Sequence, residues 1–205
     1  MDTDKLKNIR DNQPVYKATK KNVLYMLRES NLIEGVEGKT ALTQARRAWD
    51  YVMMYDSLNN QIVKETHRIL MEKQPIERKY RGDWRDVPVS IGGQIKSQSK
   101  PVLDSLMRDW CKKTNTVGKN FDPVTLHIDF ENIHPFIDGN GRMGRILLNW
   151  HLVKRNNSPL LIYTYEDRRT YYRLFASYRN AERAAMWDRI LPYMEEMKKR
   201  NAADL

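Results

Sequence analysis

A single cysteine, Cys111, stands in 205 residues, so no internal disulfide can hold the chain, and stability has to come from burial and hydrogen bonding. No apolar run approaches the ~18 residues of a membrane-spanning helix, and the opening MDTDKLKNIRDNQP has no charged-then-apolar leader. A cytoplasmic, reducing setting is the expectation from these absences. Histidines are few, 4 in all, and with one thiol they form no array at zinc spacing. His127 and His134 make only a weak metal pair, and His67, His127 and His151 read as structural. Basic residues lack a dense block: they come in ones and twos, as at Arg46-Arg47 and Arg168-Arg169, with one run of three at Lys198-Lys199-Arg200, and without the pattern of a DNA-reading helix.

What the chain has in excess is positive charge, with 36 Lys and Arg against 26 Asp and Glu and a net charge of +10. That excess suits a polyanion, whether nucleic acid, an acidic membrane surface or a phosphorylated ligand; a solvated basic surface is the plainer explanation. With 40% hydrophobic and 10% aromatic residues the chain is too apolar to be disordered. One domain of this size buries roughly 70% of the surface its unfolded chain exposes.

Helical periodicity dominates. Ala45, Ala48, Val52 and Tyr55 follow one stripe; Ile62, Thr66, Ile69 and Leu70 a second; Leu103, Leu106 and Trp110 a third; Leu126, Phe130 and Ile133 a fourth. Met143, Ile146, Leu147, Trp150 and Val153 continue the pattern, then Tyr171, Phe175 and Tyr178, then Trp187, Ile190, Leu191 and Met194, where Pro192 predicts a kink or break. Asp122 before Pro123 and Ser99 before Lys100-Pro101 are start signals. The expected fold is all-α, with about seven or eight helices. Residues 79–93 are the exception: Val87, Val89 and Ile91 alternate around Pro88, and Gly92-Gly93 marks a turn. A short hairpin there is better placed to cover or line something than to build a core.

The chemistry concentrates in HPFIDGNGRMGR, His134 to Arg145, between two helical stripes. Gly139, Asn140 and Gly141 tolerate strained backbone and let a ligand approach main-chain N–H groups. The following helix presents its unpaired N–H groups to the same space, with Arg142 in its first turn and Arg145 about one turn on. Arginine there opposes the helix dipole, which suggests a task that outweighs the cost. Asp138 suits a Mg²⁺ ligand beside bound phosphates, and His134 can take a proton from an attacking hydroxyl. Together these residues read as a site for nucleotidyl or phosphoryl transfer.

The string resembles the signature of the Fic family, HPFx(D/E)GN(G/K)RxxR, at every specified position, and the resemblance extends from about residue 40 to 190, including the Asn132-Ile133 lead-in, the ILLNWHL helix, the Pro159 loop, the hairpin and RRTYYRLF. It implies a helical fold with a β-hairpin flap and transfer of AMP from ATP to a hydroxyl of a target protein, with release of pyrophosphate. Carried over, His134 would be the general base for a Tyr, Thr or Ser hydroxyl, and Asp138 would hold Mg²⁺. Gly139, Asn140 and Gly141 would cradle phosphates, Arg142 and Arg145 would position them, and Phe136 would anchor the loop. Val87, Val89 and Ile91 would pair with the target, and Tyr172 or its neighbour Tyr171 would wall the adenine pocket.

Upstream, RESNLIEGVEG contains Ser30, Glu34 and Gly35, by itself a helix end closed by glycine. Beside a Fic core it is similar to the inhibitory motif (S/T)xxxE(G/N), with Glu34 expected to pair with Arg145. The implied layout is an arm and inhibitory helix over 1–40 and a catalytic core over 41–205, forming one globular unit; residues 1–17 carry no motif and read as a mobile or packing arm. ATP and a protein target, with the chain itself as one acceptor, are the expected partners, and a homo-oligomer is compatible with the family's regulation. Two alternatives remain: a Fic-fold enzyme that removes AMP or transfers another phosphate-bearing group, and a non-enzymatic nucleic-acid-binding protein that uses the +10 charge.

Overall fold

Thr19 opens the first helix, α1 (Lys20–Ile33): its backbone is extended and its side chain accepts a hydrogen bond from the Asn22 N–H at 3.2 Å. The helix closes in a Schellman turn around Gly35 (φ 67°), where the Gly35 N–H donates to the Leu32 carbonyl and the Val36 N–H to the Asn31 carbonyl, both at 3.0 Å. α2 (Lys39–Val52) and α3 (Asn60–Met71) follow, the latter capped by the Asn59 side chain accepting from the Ile62 N–H. After a 3-10 turn (Arg78–Tyr80) come the strands β1 (Val89–Ile91) and β2 (Gln94–Lys96), then α4 (Lys100–Asn115), α5 (Pro123–Ile133) and α6 (Asn140–Arg155). The computed structural model describes residues 16–116, 123–155, 160–169, 171–173 and 175. The Asp122 start signal, the Pro159 loop, Tyr178 and the stripe from Trp187 to Met194 with Pro192 lie outside the described residues.

The all-α expectation holds, with six α-helices and one two-stranded sheet among the described residues. α2 packs on α3, α5 on α4 and α6, and α1 on α2 and α6. α1 enters the main core through Val23, Met26 and Leu27, which meet Trp150 and Met143 of α6 in the same cluster. A smaller cluster of Ile33, Leu148, Tyr163, Tyr171 and Phe175 lies on the other side of α6. Two sequence expectations are corrected. Leu106 faces solvent and Met107 takes its place inside, because the buried face of α4 runs through Leu103, Met107, Trp110, Cys111 and Thr114. Tyr55 lies beyond the end of α2, and its hydroxyl meets that of Tyr51 at 3.2 Å. At the arm's end, Tyr16 is packed: its carbonyl accepts from the Leu160 N–H at 2.8 Å.

The hairpin forms as anticipated, antiparallel, with Val89 opposite Lys96, Ser90 opposite Ile95 and Ile91 opposite Gln94. Gly92 and Gly93 both take positive φ, 54° and 80°, which the two-residue turn requires. Val87 lies outside the strand, which starts at Val89 after Pro88, a residue with no N–H to give. Val89 and Ile91 share a half-buried face; Ser90 and Ile95 face solvent.

Candidate active site

His134 ends α5 by leaving the helix with φ 49°, a left-handed conformation unusual for a side-chain-bearing residue, while its N–H still donates to the Phe130 carbonyl at 3.0 Å. Two residues on, Phe136 is fully buried, stacked on the His67 ring with centroids 3.6 Å apart and planes 3° from parallel. Asn140, at the start of α6, closes the loop from the other end: its side-chain oxygen accepts from the Phe136 N–H at 3.0 Å and its nitrogen donates to the Phe136 carbonyl at 2.9 Å. The buried Asn140 amide, expected among the phosphate-cradling groups, therefore builds the loop.

The His134 ring stands with Nδ1 at 3.3 Å from the Glu131 carbonyl. A carbonyl only accepts, so this contact puts the hydrogen on Nδ1 and leaves the Nε2 lone pair for a substrate proton. Burial pushes the imidazole down to about 4, against smaller upward effects of the Glu131 carbonyl, Glu34 and Asp138, so the ring is neutral at pH 7.

The first helical hydrogen bond of α6 runs from the Met143 N–H to the Gly139 carbonyl at 2.9 Å. The N–H groups of Asn140, Gly141 and Arg142 precede it and point out of the helix end, as an anion requires. Arg142 is buried beside them, 3.5 Å from the Asp138 carboxylate, and burial holds its guanidinium below the ordinary value. One Asp138 oxygen accepts from the Gly139 N–H at 2.6 Å, while the side chain as a whole stays half exposed. Among the described residues no group of three or more His, Cys, Asp or Glu could hold a metal. A half-exposed carboxylate beside a helix end suited to an anion nevertheless fits Mg²⁺, which is usually held by one or two carboxylates with its other ligands from phosphate and water.

Arg145 is 2% exposed, with nearly all its donors occupied. Nε donates to Ser30 Oγ at 2.8 Å, Nη1 to the Tyr171 hydroxyl at 2.9 Å, and Nη2 to the Ser30 carbonyl at 2.9 Å and Glu34 Oε1 at 2.7 Å. Burial alone would lower this guanidinium, but Tyr171 and Glu34 outweigh it and hold the charge above its ordinary value. Glu34 is the C-cap of α1, the wrong helix end for a carboxylate, and Gly35 turns the chain there. The structure thus brings Ser30, Glu34, Gly141, Arg142 and Arg145 together. A Cβ on Gly141 would overlap Glu34 Oε1 and lie 3.2 Å from Arg145 Nη1.

The tyrosines divide. Tyr171 is buried, its hydroxyl between Arg145 and His127 Nε2 (3.0 Å), whereas Tyr172 is 45% exposed and reaches the Ile33 carbonyl at 3.3 Å. Sequence reasoning missed two participants, Arg85 and His67, and named a third, Tyr171, only as a wall of the adenine pocket. Arg85 donates through Nε to the His134 carbonyl at 2.9 Å. His67, read as structural, accepts the Gly82 N–H on Nδ1 at 2.9 Å and so donates from Nε2 to the Asp138 carbonyl at 2.9 Å. Tyr171 holds Arg145 as described. His67 had a signal, since it falls on the buried stripe of α3 one turn after Val63. Arg85 binds backbone carbonyls and one glutamine and had none, whereas Tyr171 had its place on the stripe with Phe175.

A Fic/DOC family profile matches residues 57–152. A probable protein adenylyltransferase of Aquifex aeolicus is 35% identical over 101 residues, which are 48% of this chain and 30% of that protein. The protein adenylyltransferase fic-1 of Caenorhabditis briggsae is 32% identical over 117 residues, 54% of this chain and 22% of that protein. The matched part is thus less than a third of these relatives' own length. Among solved structures, a Fic-domain-containing signaling protein from Bacteroides thetaiotaomicron superposes with a TM-score of 0.63 at 20% identity, over 76% of this chain and 71% of that one. Fic-1 from C. elegans gives 0.61 at 20%, over 80% and 56%. At such identities the structures establish the fold. With the profile match, the intact motif and the shared fold in agreement, residues 57–152 form a Fic/DOC family domain.

Proposed function

We propose that this chain is an autoinhibited protein adenylyltransferase, moving AMP from ATP to a hydroxyl of a protein target, with itself as one acceptor. The carrying observation is that Arg145, at the anion-binding end of α6, is paired at 2.7 Å with a carboxylate from outside the matched segment. In the released enzyme the triphosphate lies against the orphan N–H groups of α6, with Arg142 and Arg145 neutralising its outer phosphates. Asp138 holds Mg²⁺, which supplies further neutralisation of phosphate charge. His134 Nε2 accepts the proton of the attacking hydroxyl, and the hairpin edge aligns the target backbone. Tyr172 borders the base in this reading, which its exposure and its contact with the Ile33 carbonyl at the end of α1 support.

In the resting state Glu34 takes the Nη2 position that the triphosphate needs, so the nucleotide's α-phosphate is out of line for attack. Arg142 and Arg145 are buried, so these two charges serve an enclosed ligand and not a nucleic-acid surface. No helix among the described residues is long and apolar enough to cross a membrane. The test is incubation of Glu34→Gly with ATP labelled in turn at the α- and γ-phosphates. Label from α alone is expected, lost with His134→Ala. Label from γ alone assigns a kinase, and removal of AMP from a pre-modified protein assigns the reverse activity.

A further inference from the structure

Arg85 is fully buried, yet all five oxygens it contacts are neutral. Nε donates to the His134 carbonyl at 2.9 Å. Nη1 is shared among the carbonyls of Val87 (3.3 Å), Lys96 (3.1 Å) and Gln98 (3.4 Å), and Nη2 donates to Gln98 Oε1 at 2.7 Å. The Arg85 N–H donates to the Pro135 carbonyl at 2.9 Å. Burying a charge without a counter-ion is costly, and burial holds this guanidinium below its ordinary value.

The distribution of these contacts explains why the cost is borne. Val87 is where the chain enters the hairpin, and Lys96 and Gln98 are where it leaves. One planar, rigid group therefore joins both legs of the hairpin to the carbonyl of the residue that carries the base, and its own backbone joins the next residue of the same loop. The hairpin has few other anchors: two strands of three residues, with Ser90 and Ile95 in solvent. We infer that Arg85 is a positioning residue that fixes the spacing between the target-binding hairpin and the His134 imidazole. Resting on the function proposed above, this means that a target docked on the hairpin edge has its hydroxyl held at a set distance from Nε2. A lysine keeps the charge but offers three donors from one point, and cannot span the His134 carbonyl and Gln98 as the fork does.

The test compares Arg85→Lys and Arg85→Gln in the Glu34→Gly background, with Ile95→Ala as the hairpin control. Displacing a reacting group by about 1 Å costs up to roughly 100-fold in rate, so kcat for α-label incorporation should fall by about 10- to 100-fold. KM for ATP should stay within about twofold, because Arg85 touches no phosphate-binding group. Amide exchange followed by mass spectrometry should quicken together in residues 87–98 and in residues 132–138 with Arg85→Lys. Ile95→Ala should leave the 132–138 segment protected. A purely structural Arg85 would lower the melting temperature while leaving kcat of the folded fraction intact, and that result overturns the inference. Exchange that quickens in the hairpin alone overturns it as well. If the Glu34→Gly parent transfers no label, the proposed activity falls, and the exchange comparison still decides the coupling.

Discussion

Replacing Glu34 with glycine should release Arg145 by an amount set by the contacts around it. A hydrogen bond between charged groups contributes about 1.5–3 kcal/mol, and the 2.7 Å pair between Glu34 and a guanidinium shut off from solvent is of that kind. On the proposed function a phosphate oxygen competing for the same Nη2 hydrogen has to displace it, so wild type should disfavour productive ATP by about 10- to 140-fold. The remaining bonds, to Ser30 Oγ, the Ser30 carbonyl and the Tyr171 hydroxyl, are untouched and keep the guanidinium in place. Glu34→Gly then leaves one free N–H on each terminal nitrogen, two donors aimed at one side. ATP affinity should rise by that factor, read by calorimetry in a His134→Ala background that prevents turnover, and α-label incorporation should rise at least as much. Glu34→Gln retains an acceptor without the charge and should fall between. Equal ATP affinity and equal incorporation in wild type and Glu34→Gly, across the ATP range, would refute the competition.

Gly141→Ala should destabilise the wild type, because its Cβ meets Glu34 Oε1, but be nearly neutral in Glu34→Gly; a double-mutant cycle by urea melts reads the coupling, and additive effects would sink the close-approach argument. Tyr171→Phe removes the acceptor for Arg145 Nη1 and the partner of His127, and should cost about 1–3 kcal/mol in the same melts. His67 and His127, held near 3, and His134, near 4, all by burial, bind protons less readily folded than at the ordinary 6.5. The unfolded chain therefore takes up more protons below that value, so stability is full above pH 6.5 and is lost toward pH 4 and 3, at up to about 1.4 kcal/mol per pH unit for each histidine; a flat profile would count against their burial as neutral rings. For the same reason the acid limb of transfer by Glu34→Gly should fall near pH 4, and a limb near 6.5 would mean that His134 is solvated.

The residues legible in the sequence are those whose task is local. The loop from His134 to Gly141 needs a tight turn, a helix start and a charge at fixed spacing, and each leaves a residue type in place. The helical stripes were legible for the same reason, and where one slipped, at Leu106, the error was a single position on the wheel, because Met107 is equally apolar and one residue later. Glu34 was legible only through its similarity to the family's inhibitory motif; as chemistry, a carboxylate on a helix C-cap opposes the dipole, and that local misfit is the trace of a distant partner. Arg142, in the first turn of α6, bears the opposite misfit for the same kind of reason. Arg85, in contrast, binds carbonyl oxygens, which every residue possesses, so no pattern of side chains can announce it. His67 is an intermediate case: its place on an apolar stripe gives away its burial, while the two backbone groups that fix its tautomer come from Gly82 and Asp138, 15 and 71 residues away. Side chains with a proposed role at phosphate are therefore found by motif, whereas the groups that position them act on backbone. The second set must be sought among buried polar residues whose partners carry no charge.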